Sequence, residues 1–364
     1  MKLRVSNLRE HGTVDTVSTQ NTSTFAAAHD SRKVVWGLTL LLVIVGALLV
    51  YKGTAALAVI AKVQNTGAFQ PRANVVPLPG NLAQVNVVAR SMNYFLAIWP
   101  ALLFGILISG AVRVLNPPRW LGQALGRGRI RPHLVAGLAG APLMLCSCCA
   151  APVFSGMYER SSRLGPSLAV MLAAPSLNPA ALILTFMLFD HRIALTRLAV
   201  AVVAVFLTGI LIDRLFTVKP IDCPTSDEES TRPVLTRFLR SCLQVAVRTV
   251  PLILIGVVVS MAIALWLPVG TFASTNGRIV AIVLVALIAV PLAMPTFFEI
   301  PLALILLSAG APIGAVVAML IAGPAVNLPS LFTIARSTNW KVAGSVALSI
   351  FVLAVAGGLL VSLF

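Results

Sequence analysis

The 364-residue chain carries 27 Lys and Arg against 11 Asp and Glu, a net charge of +16, yet only 10% of its residues are charged, 58% are hydrophobic and its mean hydropathy is +0.96. A soluble domain carries roughly 25% charged residues, so this composition excludes a soluble globular protein and points to a polytopic membrane protein. The basic residues sit in short clusters between apolar runs without interleaved aromatics, which marks membrane topology and argues against a nucleic-acid groove. No G-x-x-x-x-G-K-[ST] phosphate loop occurs, which removes ATP hydrolysis by that route.

Residues 1–33 are polar and precede the first apolar run in the wrong order for a cleaved signal peptide, so they are expected to form a mobile tail. Val34–Tyr51 is the first spanning candidate, near the roughly 20 residues that a crossing helix needs, and a loop containing Gly, Asn and Pro leads to about residue 92. Asn93–Val112 follows, then the basic loop Arg113–Arg131 with five Arg, then the apolar stretch Leu134–Tyr158. Gly165–Phe189 is interrupted by Pro175-Ser176-Leu177-Asn178-Pro179, and Ile193–Ile212 closes a first transmembrane unit, 93–215. A polar connection, 216–241, separates it from a second unit, 242–364, with apolar stretches at Leu243–Trp266, Ile279–Ser308, Ile313–Ala335 and Val342–Phe364.

The two units repeat each other. A shift of 149 residues superposes Pro142 on Pro291, Pro152 on Pro301, Gly165 on Gly314, Pro175 on Pro324 and Asn178 on Asn327 without a gap. Upstream the shift becomes 151, matching Pro100, Gly105 and Ser109 to Pro251, Gly256 and Ser260. If every stretch crosses, the units are parallel, with 15 Lys and Arg inside and 11 outside. If Leu134–Tyr158 and Ile279–Ser308 are re-entrant hairpins, the units are inverted and the count becomes 19 to 7, with Arg248 left within a segment. The positive-inside bias favours the second arrangement. The expected fold is therefore an all-α polytopic membrane protein: two inverted repeats of about three spans plus a re-entrant hairpin, with one extra N-terminal span. Inverted repeats with helices broken near the midplane are the recurring design of secondary transporters.

Three of the five cysteines, Cys146, Cys148 and Cys149, fall within four positions at membrane depth, with Ser147 between them. Small residues allow close helix packing, which is one reading of the cluster. The other is a thiol-lined substrate position. Cys146 and Cys149 share a face if the stretch is helical, and Cys146 and Cys148 share one if it is extended. Either pair offers two sulfurs to a soft centre such as copper(I), zinc or trivalent arsenic, with Cys146 and Cys148 the candidate ligands. Cys223 and Cys242 have no regular spacing with the cluster, which argues against a disulfide framework or a structural zinc site.

Glu299 is the only carboxylate inside an apolar segment, so it is a candidate proton carrier; the alternative is a protonated side chain bonded to a carbonyl of its own hairpin. Arg248, also deep, is expected to snorkel to the interface instead of pairing with Glu299. Pro175, Asn178, Pro324 and Asn327 at the helix breaks, with Thr296 and Ser147, complete the expected substrate-binding set.

The run C-S-C-C-A-A-P-V, then Arg163-Leu164-Gly165 and A-A-P-S-L-N-P-A-A-L-I-L-T, and A-G-P-A-V-N-L-P-S-L in the second half, resemble the signatures of the YraQ-like predicted permeases. That group includes the organoarsenical efflux permease ArsP. The resemblance covers about residues 93–364 and implies a bacterial inner-membrane permease with Cys146, Cys148, Pro175 and Asn178 in motif positions. Two departures stand out: Cys149 replaces the Gly of a common C-S-C-G, and Met294-Pro295-Thr296 stands where many members carry a Cys-Ser-Glu element. The expected function is secondary transport, with export of a thiol-reactive or soft solute leading. A permease for another small solute, with structural cysteines, and an intramembrane thiol oxidoreductase are the alternatives. The expected partners are a small-molecule substrate and the bilayer, with no catalytic residues, no cofactor and no nucleic acid; a homo-oligomer is compatible with the sequence.

Overall fold

The computed structural model describes residues 16–69, 87–114, 130–161, 163–216, 234–265 and 277–363. Residues 1–15 of the expected tail, most of the basic loop, and Cys223 lie outside these. Among the described residues all regular structure is helical. The elements are α1 (Thr16–Thr66), α2 (Val87–Val114), α3 (Arg131–Gly140), a 3-10 turn (Ala141–Leu143), α4 (Ser147–Ser161), α5 (Leu164–Ser176), α6 (Pro179–Leu188), α7 (His191–Leu215), α8 (Val234–Leu265), α9 (Arg278–Ala289), α10 (Glu299–Ser308), α11 (Ile313–Ala325), α12 (Leu328–Ser337) and α13 (Trp340–Val361).

Length separates these helices into two kinds. Six segments are long and apolar enough to cross a membrane, and a seventh is the α11–α12 pair, bent by 45° at its break. By contrast α3, α9 and α10 have 10 to 12 residues. At 1.5 Å per residue they reach roughly 15–18 Å, about half of a 30 Å hydrocarbon core. The two stretches expected to form hairpins, Leu134–Tyr158 and Ile279–Ser308, are thus each split into two short helices about an irregular junction.

The order of elements is the same in the two halves: a long helix, two short helices, a broken helix, a long helix. The first segments of the broken helices form the interior. Every residue of α5 is buried, as is every residue of α11 except Ile313 and Pro324. A helix apolar on all sides belongs in such a place. Both α3 and α4 pack on α5, both α9 and α10 pack on α11, and α5 touches α11. Across the halves, α2 packs on α8 and α7 on α13. Glycine permits two of the closest approaches. A Cβ at Gly105 of α2 would overlap the Cys149 carbonyl oxygen, and Gly314 of α11 and Gly358 of α13 each face the other's carbonyl where a Cβ would collide.

Several boundaries differ from the expectation, among them the start of α2 at Val87, inside the loop expected before Asn93. Helix α1 begins at Thr16, inside the expected tail, and its apolar part runs on from Gly37 to Thr66 instead of ending at Tyr51. Ala55–Ala61, rich in strong helix formers, carries the helix on. Helix α8 begins at Val234, within the expected polar connection, directly after Pro233, and proline suits a helix start.

Candidate functional site

The site is built from the two junctions. In the first, Pro142 sits in the 3-10 turn, Met144 takes a left-handed φ of 49°, and Leu145 and Cys146 are non-helical before α4 starts. In the second, α9 ends at Ala289 and an irregular run continues to Phe297, φ 74°, just before α10. Met144 and Phe297 are the non-glycine residues with positive φ among the described residues. Such backbone costs about 1–3 kcal/mol and persists where the surroundings impose it, most often at functional sites.

Between the junctions lies a cavity lined by Leu145, Cys146, Ser147, Pro175, Asn178, Met294, Pro295, Thr296, Glu299 and Pro324. Its non-atom space, about 280 Å³, includes an open side, and the room inside is close to what a single water needs. Three helix N-termini reach it: α4 through Cys146 and Ser147, α6 through Asn178, and α10 through Glu299. The ends of α5 and α11 reach it through Pro175 and Pro324. The positive ends of these helix dipoles therefore face the space, with the first N–H groups of α6 already bonded to Asn178.

Seven of the expected binding residues line this cavity: Cys146, Ser147, Pro175, Asn178, Thr296, Glu299 and Pro324. Asn178, 1% exposed, also caps α6, its oxygen accepting from the N–H groups of Ala180 and Ala181 at 3.1 and 3.4 Å. Asn327 is outside the lining. Its oxygen accepts from Ser330 N–H at 3.1 Å in a capping box, while its Nδ2 is buried without a partner among the described residues. Its role in the structure is to start α12 where Pro324 and Pro329 interrupt the helical run.

Cys148 and Cys149 are fully buried behind Cys146. The carbonyl of Cys146 accepts from Ala150 N–H at 2.9 Å, so Cys146 sits at the start of α4 and the following sulfurs are on its first turn. The helical pairing of Cys146 with Cys149 and the extended pairing with Cys148 merge at this boundary. Cys146 and Cys148 Sγ are 3.1 Å apart, Cys148 and Cys149 Sγ 3.9 Å, and all three lie within 4.8 Å of one another. Three thiolates about 2.3 Å from one tetrahedral centre would stand about 3.7 Å apart, so small rotamer shifts suffice to place the sulfurs around a soft atom. Cys149 Sγ points at the Ile98 carbonyl, 3.9 Å away on α2.

Two further residues, not singled out from sequence, complete the arrangement. Tyr94 of α2 places its hydroxyl 3.3 Å from Cys148 Sγ and donates to the Met294 carbonyl at 3.4 Å, so it touches both junctions. Arg197 of α7 is 1% exposed and places Nη2 3.0 Å from Glu299 Oε1. The partner of Glu299 is thus neither Arg248 nor a carbonyl of its own hairpin. Arg197 Nη1 also donates to Thr185 Oγ1 of α6. A guanidinium five residues inside an apolar span has to find a carboxylate or carbonyl, and Glu299 is the one carboxylate in such a segment; that is the signal by which the pair could have been found. The far end of α4 is fixed by Arg113 of α2, 2.6 Å from Glu159, with Ser155 donating to the same carboxylate at 3.0 Å.

Comparison with known proteins agrees with this membrane architecture. The ArsP_1 family, described as a predicted permease, matches residues 81–363. The UPF0718 protein YraQ of Escherichia coli K12 is 30% identical over 270 residues, covering 71% of this chain and 77% of YraQ. The UPF0718 protein MJ0584 of Methanocaldococcus jannaschii is 21% identical over 306 residues, covering 65% and 84%. The UPF0718 protein YcgR of Bacillus subtilis is 24% identical over 119 residues, covering 32% and 40%. No solved structure matches. With a family match spanning most of its length and a multi-pass helical fold, the chain belongs to the ArsP_1 predicted-permease family of membrane proteins.

Proposed function

We propose that the protein is a secondary transporter of the bacterial cytoplasmic membrane that exports a small thiol-reactive or soft solute, such as a trivalent organoarsenical or a soft metal species. The observation that carries this reading is the clustering of three sulfurs within 4.8 Å, with Cys146 lining a cavity formed by helix breaks and Cys148 and Cys149 directly behind it. Sulfur is a soft ligand, and an electrophilic arsenic or a thiophilic metal exchanges its weaker ligands for it. Ser147, Asn178 and Thr296 supply weaker contacts around the same space, which suits a site that must also release its load. A bundle of apolar helices belongs in the cytoplasmic membrane, because outer-membrane spanning proteins are closed β-barrels.

Glu299 is the proposed proton carrier, being the carboxylate in the lining. The two halves are proposed to be inverted, with the split stretches re-entrant and the cavity near the midplane. Tags inserted beside Arg163 and Gly310 then report opposite faces of the membrane; the same face for both fits parallel units and removes the inverted arrangement. The functional reading is tested by expression in a strain sensitive to trivalent organoarsenicals, arsenite, copper and mercury. The parent is expected to confer resistance to at least one of these, and Cys146→Ser with Cys148→Ser to lose it by about a hundredfold in transport rate, because a serine oxygen is hard and stays protonated. Full resistance from that double variant assigns the cysteines to packing.

A further inference from the structure

The Arg197–Glu299 contact joins α7 of the first half to α10 of the second, across 102 residues of chain. Neither charge is repeated: the shift of 149 residues places Ala150 opposite Glu299 and Val346 opposite Arg197. The rims of the cavity are therefore held differently. The Leu145–Ser147 rim is backed by Cys148 and Cys149, which contact the Tyr94 hydroxyl and the Ile98 carbonyl of α2, whereas the Thr296–Glu299 rim is held by a charge-assisted bond to a buried guanidinium. Arg197 is anchored on its other side by Thr185, which itself donates to the Ala181 carbonyl of α6 at 2.7 Å. The guanidinium is thus fixed to the first half through α6 and α7, while its partner stands at the start of the short helix α10, beside the left-handed turn at Phe297. A cavity with room for about one water must open before any larger solute enters, and on this rim the Arg197–Glu299 bond ties the second half to the first.

We propose that Arg197 is a gating residue: its bond to Glu299 holds the Thr296–Glu299 rim closed over Cys146, and separation of the pair opens the cavity on that side. The titratable groups around the pair are Cys146 across the cavity, with Cys148, Cys149 and Tyr94 behind it, and the gate requires no change of protonation in any of them. The proposal rests on the transport reading only for what passes through; the gate itself is read without a solute.

The test is the rate at which a small water-soluble methanethiosulfonate reagent modifies Cys146, followed by peptide mass spectrometry. The full chain is used in nanodiscs, in a Cys223→Ser, Cys242→Ser background. Arg197→Met with Glu299→Gln removes both charges and leaves none unpaired in the interior; it should raise the rate at least about tenfold. Arg197→Lys keeps the charge without the planar fork and should raise the rate about threefold. A parental rate in the double variant overturns the gate, and if that variant does not insert, a parental rate in Arg197→Lys does so. Fast modification in the double variant, combined with full resistance from the Cys146→Ser, Cys148→Ser protein, retains the gate and removes the thiol substrate site.

Discussion

The two junctions that face each other across the cavity are related in sequence, since Pro142 matches Pro291 and Pro152 matches Pro301, yet they carry different chemistry. The first offers sulfur backed by a tyrosine hydroxyl; the second offers a carboxylate paired to a guanidinium from the other half. Both place a left-handed residue beside the cavity and both open a helix there. The same order of elements thus occurs twice with different side chains at the cavity; on the reading proposed above, one rim binds a soft atom and the other carries the charge contact of the gate. A pocket made of two identical rims would have no such division between affinity and gating.

The largest effect expected from disturbing this division comes from Glu299→Gln alone. It leaves Arg197 charged and buried with only neutral acceptors, a loss of about 3–5 kcal/mol. Thermal unfolding in detergent should show a clear drop that Arg197→Met largely restores in the double variant. An equal drop in single and double variants would mean that the two side chains do not act as a pair. Proton-coupled transport should also vanish in Glu299→Gln, because an amide cannot titrate. Proton-coupled transport that persists undiminished leaves the carboxylate a structural role alone.

A smaller effect belongs to Tyr94→Phe. The ring stays, and only the hydroxyl contacts to Cys148 Sγ and the Met294 carbonyl are lost, at a cost of about 1 kcal/mol. Since these contacts hold both junctions to α2, Cys146 should become modestly more reactive without loss of fold. If reactivity and stability are both unchanged, Tyr94 does not link the rims.

Much of this arrangement was legible in the sequence, because proline paired with asparagine marks both broken helices and the apolar runs are long. Pro175 to Asn178 and Pro324 to Asn327 placed two breaks at matched depths, and the C-S-C-C run placed the sulfurs beside them. Helix ends were less legible: Lys52-Gly53-Thr54 interrupts the apolar run after Tyr51, but the alanine-rich run that follows carries α1 to Thr66. Pairing across the halves was legible only as a guanidinium and a carboxylate each inside an apolar run. Arg197 lies near the start of its span and reads as an interfacial charge, and only the packing of α7 and α6 near α10 brings it to Glu299. Asn327 shows the converse, for the repeat equates it with Asn178, but its side chain is consumed by capping α12 and does not reach the lining.

The central claim, that Cys146 and Cys148 meet the solute, is tested most directly by protection. The purified full-length protein in nanodiscs is alkylated with a small membrane-permeant thiol reagent, with and without a trivalent phenylarsenical, and each cysteine is followed by peptide mass spectrometry. Modification of Cys146 and Cys148 should slow as the arsenical saturates the site, while Cys242, near the Ile106 carbonyl and away from the cavity, should react at an unchanged rate. Equal rates at all cysteines with and without each soft solute that the protein is found to move would contradict the account.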